Sequence, residues 1–334
     1  DSVLAGQLAY WRRQLAGLPD ELALPVDRSR PAVASHRGAR VSFEVPAEVH
    51  GRLRELARAR GCSMFMLTHA ALATLLSRFG AGTDIAIGSP IAGRLDENLT
   101  DLVGFFVNTL VLRTDLSGDP TFAELLARVR ETDLAAYQHQ DVPFEQLVEA
   151  LNPTRSLARH PLFQTLLTYN NQDPQDTAGV GEETGPLAVS PYAAATDTAK
   201  TDLAFTLTER SDDTGTAAGI SGRLDYAMDL FDRETAEALV SALQLLLSQV
   251  SDNSEQPVHT LAILTEDEAK RITQGWNDTG VVPVVSEFLL DRFERQAGQT
   301  PDAVALVCGD EELSYGELNA RVNRLARVLA GRGV

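Results

Sequence analysis

The stretch from Asp101 to Asp115, DLVGFFVNTLVLRTD, places the tightest constraint on how this chain folds. Val103, Phe105, Phe106 and Val107 lead into Asn108 and Thr109, and Leu110, Val111 and Leu112 follow. The apolar part reads as a strand buried on both faces. An Asn-Thr pair inside such a run needs hydrogen-bond partners, because burying an unpaired amide costs about 1–3 kcal/mol. By itself the run describes a core strand with one satisfied asparagine.

The rest of the chain alternates helices and strands. Leu4–Leu18 reads as a helix stopped by Gly17 and Pro19, with Tyr10 and Trp11 packing it down. Val41, Phe43 and Val45 alternate as a strand, and Ala47–Arg60 follows as a helix. Ser63 caps a second helix through Phe79, apolar nearly all round and therefore buried. Ile85 and Ile87 open a strand that ends in GSPIAGR (Gly88 to Arg94), a turn dense enough in Gly and Pro for close backbone approach. Asp119-Pro120 reads as an N-cap followed by proline at the first helical position, with the helix running to about Gln138. Pro143 opens a short helix to Leu151, Leu166–Tyr169 is a strand, and Asn170–Pro186 is expected to be a flexible loop. Leu203, Phe205 and Leu207 form a half-exposed strand, turned back by SDDTGT into Ile220–Tyr226 as a hairpin, before a helix capped by Asp232. Alternation with one antiparallel hairpin predicts an open mixed α/β sheet. From about Thr265 the composition changes, and Thr300–Val334 reads as strand, strand, helix, too little to bury a core of its own.

The formal net charge of -18 disfavours nucleic acid and anionic membrane as partners. Two distant cysteines, Cys62 and Cys308, spell neither a disulfide framework nor a metal cluster, as expected of a cytoplasmic protein. The first residues lack the basic-then-apolar pattern of a signal peptide, and no apolar run approaches the roughly 20 residues that span a bilayer.

Several residues invite chemistry. HQDVPFEQLV (His139 to Val148) brings a His, an Asp and a Glu together, as a general acid/base site would. The residue types favour structure instead: Asp141 precedes Pro143 where carboxylates cap helices, and His139 ends a helix where it meets carbonyl groups and the dipole. Arg159, in NPTRSLARHPLFQ (Asn152 to Gln164), offers a guanidinium fork for a carboxylate or phosphate, or else pins a loop; the loop tie is favoured. Arg94 follows small residues that leave room, and Gly93 lets backbone come close, so it is the better phosphate candidate, with a solvated arginine as the plain alternative. Ser63, Ser89 and Ser314 sit in no Gly-x-Ser-x-Gly motif. GAGTDIAIG (Gly80 to Gly88) precedes a strand, not a helix, so it is no nucleotide fingerprint.

GFFVNT, HQDVPFEQLV and NPTRSLARHPLFQ, in this order, closely resemble the last three signature motifs of condensation domains from nonribosomal peptide synthetases. LAYWRRQLAGLPDELALPVDRSRP (Leu8 to Pro31) is similar to the junction between the two halves of such a domain, WNDTG (Trp276 to Gly280) to the linker after it, and LSYGEL (Leu313 to Leu318) to the first short motif of adenylation domains. The resemblance implies one chloramphenicol-acetyltransferase-like half, a mixed sheet with flanking helices, over residues 1–264. A linker over 265–290 and the small incomplete start of an adenylation (AMP-binding) domain over 291–334 would follow. It further implies that Asn108, with Gly104, Phe105 and Arg94, lies along the channel for the phosphopantetheine arm. His139, Gln140, Asp141, Pro143, Phe144 and Arg159 would hold the motif together. The expected partners are upstream and downstream peptidyl carrier proteins, which bring the phosphopantetheine, and the adjacent adenylation domain. Carrier proteins are usually acidic, so a docking patch should be locally basic or apolar. The family's His-His-x-x-x-Asp-Gly string is absent from the six histidines here, no two of which are adjacent; it is expected upstream of Asp1. Two other readings stay open: a non-catalytic carrier-protein docking scaffold, and an epimerisation domain of the same fold, against which Phe106-Val107-Asn108-Thr109 argues.

Overall fold

Capping chemistry and side-chain alternation set most element boundaries in the computed structural model, which describes residues 2–94, 97–99, 101–171, 197–279 and 288–333. The first of two compact units, Asp1–Lys270, holds α1 (Val3–Gln14), β1 (Gly38–Val45), α2 (Ala47–Ala59), α3 (Met64–Leu76), β2 (Asp84–Ile91), β3 (Asn108–Asp115), α4 (Phe122–Tyr137), α5 (Phe144–Leu151), β4 (Thr165–Asn170), β5 (Leu203–Ser211), β6 (Ala217–Ala227), α6 (Arg233–Asp252) and a short α7 (Glu266–Lys270). Ser63 accepts the Met66 N–H and caps α3, whose residues from Met66 to Leu76 are all buried. Helix α1 stops at Gln14 rather than Leu18, and Gly17 then turns the chain at φ 69°. Helix α4 is capped by Thr121, not by Asp119. Thr121 and Glu124 form a reciprocal capping box, which satisfies two helix donors where one carboxylate would satisfy one. Asp119, at φ 52°, pairs instead with His259 Nδ1 at 2.6 Å.

The six strands form one mixed sheet in the order β1-β6-β5-β4-β2-β3. Strand β4 runs parallel to β5 and β2, and every other neighbouring pair is antiparallel. Leu203, Phe205 and Leu207 of β5 point into the core while Ala204, Thr206 and Thr208 are half-buried, as the alternation predicts. One core layer joins the sheet to α2, α3, α4 and α6 through residues such as Leu53, Leu72, Leu126, Phe205 and Leu243. A smaller layer joins it to α1 and α5 through Trp11, Leu110, Leu147 and Phe163. Central β2 is buried on both faces, and at Gly88 the Phe163 ring occupies the space a Cβ would need.

One expectation fails where the chain enters β3. The strand starts at Asn108, and the apolar residues before it are not core: Val103 and Phe105 are exposed, the latter at 90%. Only Leu110, Val111 and Leu112 have the sheet and α4 or α5 to bury against.

The second unit, Arg271–Val334, contains α8 (Leu289–Gln299), β7 (Val304–Cys308), β8 (Glu311–Ser314) and α9 (Tyr315–Ala330). Strands β7 and β8 pair antiparallel, and a Ser314–Glu317 capping box starts α9. Val307, Leu325 and Val328 remain exposed, the mark of a piece too small to enclose a core. Residues 280–287 of the linker assignment, and nearly all of the loop assigned to Asn170–Pro186, lie outside the described residues.

A polar relay crosses the main core. His69 Nδ1 lies 3.0 Å from Asp133 Oδ1, His69 Nε2 lies 3.1 Å from Thr114 Oγ1, and all three side chains are buried. The Asp133 contact fixes the proton on Nδ1, so Nε2 accepts from the threonine hydroxyl. His69→Leu would strand the Asp133 carboxylate without its partner. We expect a loss of about 3–5 kcal/mol in urea unfolding, largely recovered when Asp133→Leu is added; equal stability of the single variant would contradict this.

Candidate functional site

Asn108 spends its whole amide on backbone. Its Nδ2 donates to the carbonyls of Gln140 and Val142, both at 2.9 Å, and its Oδ1 accepts from the N–H groups of Thr109 at 2.9 Å and Phe144 at 3.0 Å. The first residue of β3 thereby fastens the 139–143 loop and caps α5, whose N-terminal proline supplies no side-chain cap. Asp141 was expected in that capping role. It instead forms a reciprocal pair with Gln7 of α1, at 2.7 Å to Gln7 Nε2 and 3.0 Å from its own N–H to Gln7 Oε1. An asparagine both donates and accepts, which a carboxylate does not, and here both carbonyls and N–H groups need partners.

Around this amide opens a cavity of about 580 Å3, lined among others by Phe105, Asn108, Gln140, Asp141, Pro143 and Phe144. The structure thus gathers most of the residues picked from sequence into one place. Gly104 stands beside it, under the Phe106 ring. Gly93 also lines it: at φ 65°, its missing Cβ admits the Phe106 carbonyl, so the close approach is by the chain itself. Arg94 is not a bare surface charge. Its guanidinium donates to the carbonyls of Leu99 and Leu102, the second at 2.8 Å, and lies 4.2 Å over the Phe106 ring. An incoming phosphate would compete with these loop contacts.

His139 sits behind the cavity. Its Nδ1 donates to the Ala135 carbonyl at 2.7 Å, as a histidine at a helix end should, and its ring stacks on Tyr10 at 3.9 Å. The His139 carbonyl accepts from Trp11 Nε1 at 2.7 Å. Gln140 Nε2 closes the helix end on the Tyr137 carbonyl. Arg159 ties the chain to Asp20 and Glu21, each at 3.3 Å, the loop-pinning role. Gln7, Tyr10 and Trp11 therefore brace the motif, a function the sequence signals only as an aromatic pair on an amphipathic helix. Next to Phe144, His160 is largely buried; burial lowers its pKa to about 4, and among the described residues its Nδ1 has no hydrogen-bond partner.

A second cavity of about 510 Å3 has no local signal in the sequence, because its walls come from six separate elements. Glu209 anchors it, accepting from His50 Nε2 at 2.9 Å and from the Tyr169 hydroxyl at 3.2 Å, with Arg54 at 3.5 Å. The His50 contact chiefly holds the Glu209 carboxyl below its usual range, while burial pushes the Tyr169 phenol up. Among the described residues no group of three or more His, Cys, Asp or Glu side chains is placed to hold a metal ion, and no single helix is long and apolar enough to cross a membrane.

The family model described as Condensation domain matches residues 3–273. The chain belongs to the condensation-domain family. A second family, described as AMP-binding enzyme, matches residues 293–334. Over its full length the chain is 48% identical to a dimodular nonribosomal peptide synthase of Bacillus subtilis (strain 168), of which it covers 14%, and 42% identical to an isonitrile lipopeptide synthase of Mycobacterium tuberculosis, of which it covers 13%. Among solved structures, the X-domain from teicoplanin biosynthesis is 42% identical with a TM-score of 0.74, over 79% of this chain and 58% of that one. A four-domain nonribosomal peptide synthetase bound to AMP and glycine shares the fold, with a TM-score of 0.84 at 24% identity over 98% of this chain and 25% of that one. The chain is thus a condensation-domain segment followed by the start of an AMP-binding domain, and spans a small fraction of the curated relatives it matches.

Two variants test the site's construction. Asn108→Asp keeps the acceptor but turns a carboxylate toward the Gln140 and Val142 carbonyls, which raises its folded pKa. The variant should therefore lose more stability at pH 7 than at pH 4, each measured against wild type by denaturant unfolding; an unchanged penalty across that range would show that the amide donors do not matter. For His160 the folded pKa of about 4 lies below the ordinary 6.5, so the unfolded chain binds the proton first. Stability should fall as pH drops between those values, and His160→Phe should flatten that part of the curve.

Proposed function

We propose that this chain forms one wall of a condensation domain that joins two acyl groups carried as thioesters. The amine of the acceptor attacks the donor thioester carbonyl, the new amide forms, and the carrier thiol leaves with the proton. The observation that carries this reading is the Asn108 cavity, where two separate family motifs, GFFVNT and HQDVPFEQLV, meet around one fully bonded amide. Holding two tethered substrates in reacting geometry is worth about 7–11 kcal/mol in the best cases, so a rigid wall is itself catalytic equipment. Asn108, Phe105 and Gly104 would line the channel for the phosphopantetheine arm, which arrives with its carrier protein as substrate. Arg94 would meet the phosphate only by giving up its loop carbonyls. No adjacent histidine pair occurs in the sequence, so proton handling at the amine falls to a histidine outside these residues. We assign 1–264 to the condensation half, 265–290 to the linker and 291–334 to the adenylation start, in a cytoplasmic synthetase that works with peptidyl carrier proteins on both sides and with its own adenylation domain.

One observation favours a second reading. A complex of the X-domain and OxyB from teicoplanin biosynthesis is 41% identical to this chain, with a TM-score of 0.73 over 80% of this chain and 57% of that one. A fold of this kind can therefore present a docking surface to another protein, and this chain would then be a scaffold.

Activity measurements separate the readings. The chain alone, given two loaded carrier proteins, should form no peptide bond above a heat-treated control; the synthetase that contains it should. In that synthetase Asn108→Ala should slow condensation by about 10²-fold, since misplacement near 1 Å costs that much. An Asn108→Ala synthetase with full activity, or a synthetase that binds carriers and never condenses them, would support the scaffold.

A further inference from the structure

The second cavity holds the chemistry that the proposed reaction leaves unassigned. Its one full charge pair is internally matched: the Glu209 carboxylate faces the Arg54 guanidinium at 3.5 Å. His50 adds no charge in this geometry, because its Nδ1 accepts from the Gly219 N–H at 3.2 Å and its Nε2 proton points at Glu209. The Tyr169 hydroxyl is already spent on Glu209. Two hydroxyls on the cavity wall are not spent. Ser89, on β2, is 4% exposed, and Tyr137 ends α4; among the described residues neither hydroxyl has a protein hydrogen-bond partner, and both residues line the cavity. Phe65 and Pro90 supply apolar wall between them.

Ser89 is buried and Tyr137 half-buried, so both hydroxyls are left open to whatever fills the cavity, and each can both donate and accept. A bare ammonium or carboxylate entering here would meet an already neutralised pair and lose its hydration without a counter-charge. A carboxamide or alcohol would satisfy both hydroxyls at little desolvation cost. We propose that this cavity is a subsite for the acyl group, favouring a side chain with an uncharged carboxamide or hydroxyl over a charged or purely apolar one. The inference rests on the condensation reading above and adds the substrate class. The amides of the carrier arm share this chemistry, and the test distinguishes the two sources.

The experiment uses the whole synthetase and one carrier protein loaded in turn with glutaminyl, leucyl, glutamyl and lysyl groups, so that the arm stays constant and only the side chain varies. Ser89→Ala and Tyr137→Phe each delete one hydroxyl that bonds to no other group among the described residues, and melting temperatures confirm folding for each variant independently. Wild type should favour glutaminyl over the other three in kcat/KM. Each variant should reduce the glutaminyl-to-leucyl ratio about three- to tenfold, the worth of one neutral hydrogen bond. A uniform loss with all four groups would place the carrier arm's amides in the cavity and overturn the proposal. So would an unchanged ratio in both variants. Absence of condensation by the wild-type synthetase would instead defeat the reading on which the subsite rests.

Discussion

Four hydrogen bonds from one side chain hold the described site together. Asn108 sits where β3 begins, opposite Ile91 at the far end of β2, and reaches from the sheet to a loop and a helix start at once. A bond to any one of those groups contributes about 1 kcal/mol net, but leaving buried carbonyls and N–H groups unpaired costs more than forming them gains. The cavity keeps its shape because the amide has no spare valence. Its neighbours follow from it: with Asn108 capping α5, Asp141 is free to pair with Gln7, and α1 is drawn against the motif by Gln7, Tyr10 and Trp11.

The two cavities divide along a chemical line. The first is built from backbone polar groups satisfied by one amide, with Phe105 and Pro143 as apolar wall, and suits a long flexible chain that needs a path. The second is built from a fixed carboxylate network with two idle hydroxyls, and suits a group that needs recognition. Strand β2 links them: Ser89 faces one, and Ile91 lines the other.

The charge pattern fits a protein whose surface interactions are selective. Most arginines at the site are committed: Arg159 to Asp20 and Glu21, Arg94 to two carbonyls and a ring, Arg54 to Glu209. Guanidinium groups held this way stiffen loops by bonding several backbone positions at once, which a point charge such as lysine does less well. A phosphate-bearing partner would have to displace such contacts, a cost that favours partners positioned by other surfaces as well.

Sequence alone determined the elements whose signals are local. The apolar all-round α3, the alternating β5, the SDDTGT hairpin and the Ser63 cap are all set by residues within a few positions of one another, and each appears as expected. The family motifs were legible for the same reason, and two of them, GFFVNT and HQDVPFEQLV, meet at one cavity. Tertiary structure decided what depends on long-range partners. Val103 and Phe105 are as apolar as Leu110 and Leu112, yet only the latter pair lies where the sheet and helices can cover it. Asp141 carries a capping residue's chemistry, but Asn108 reached the helix start first. The Glu209 network joins positions 50, 54, 169 and 209, which nothing in the linear order associates. Burial and hydrogen-bond pairing are properties of the assembled sheet, and a chain read in order contains no measure of which of its polar groups the fold will bring together.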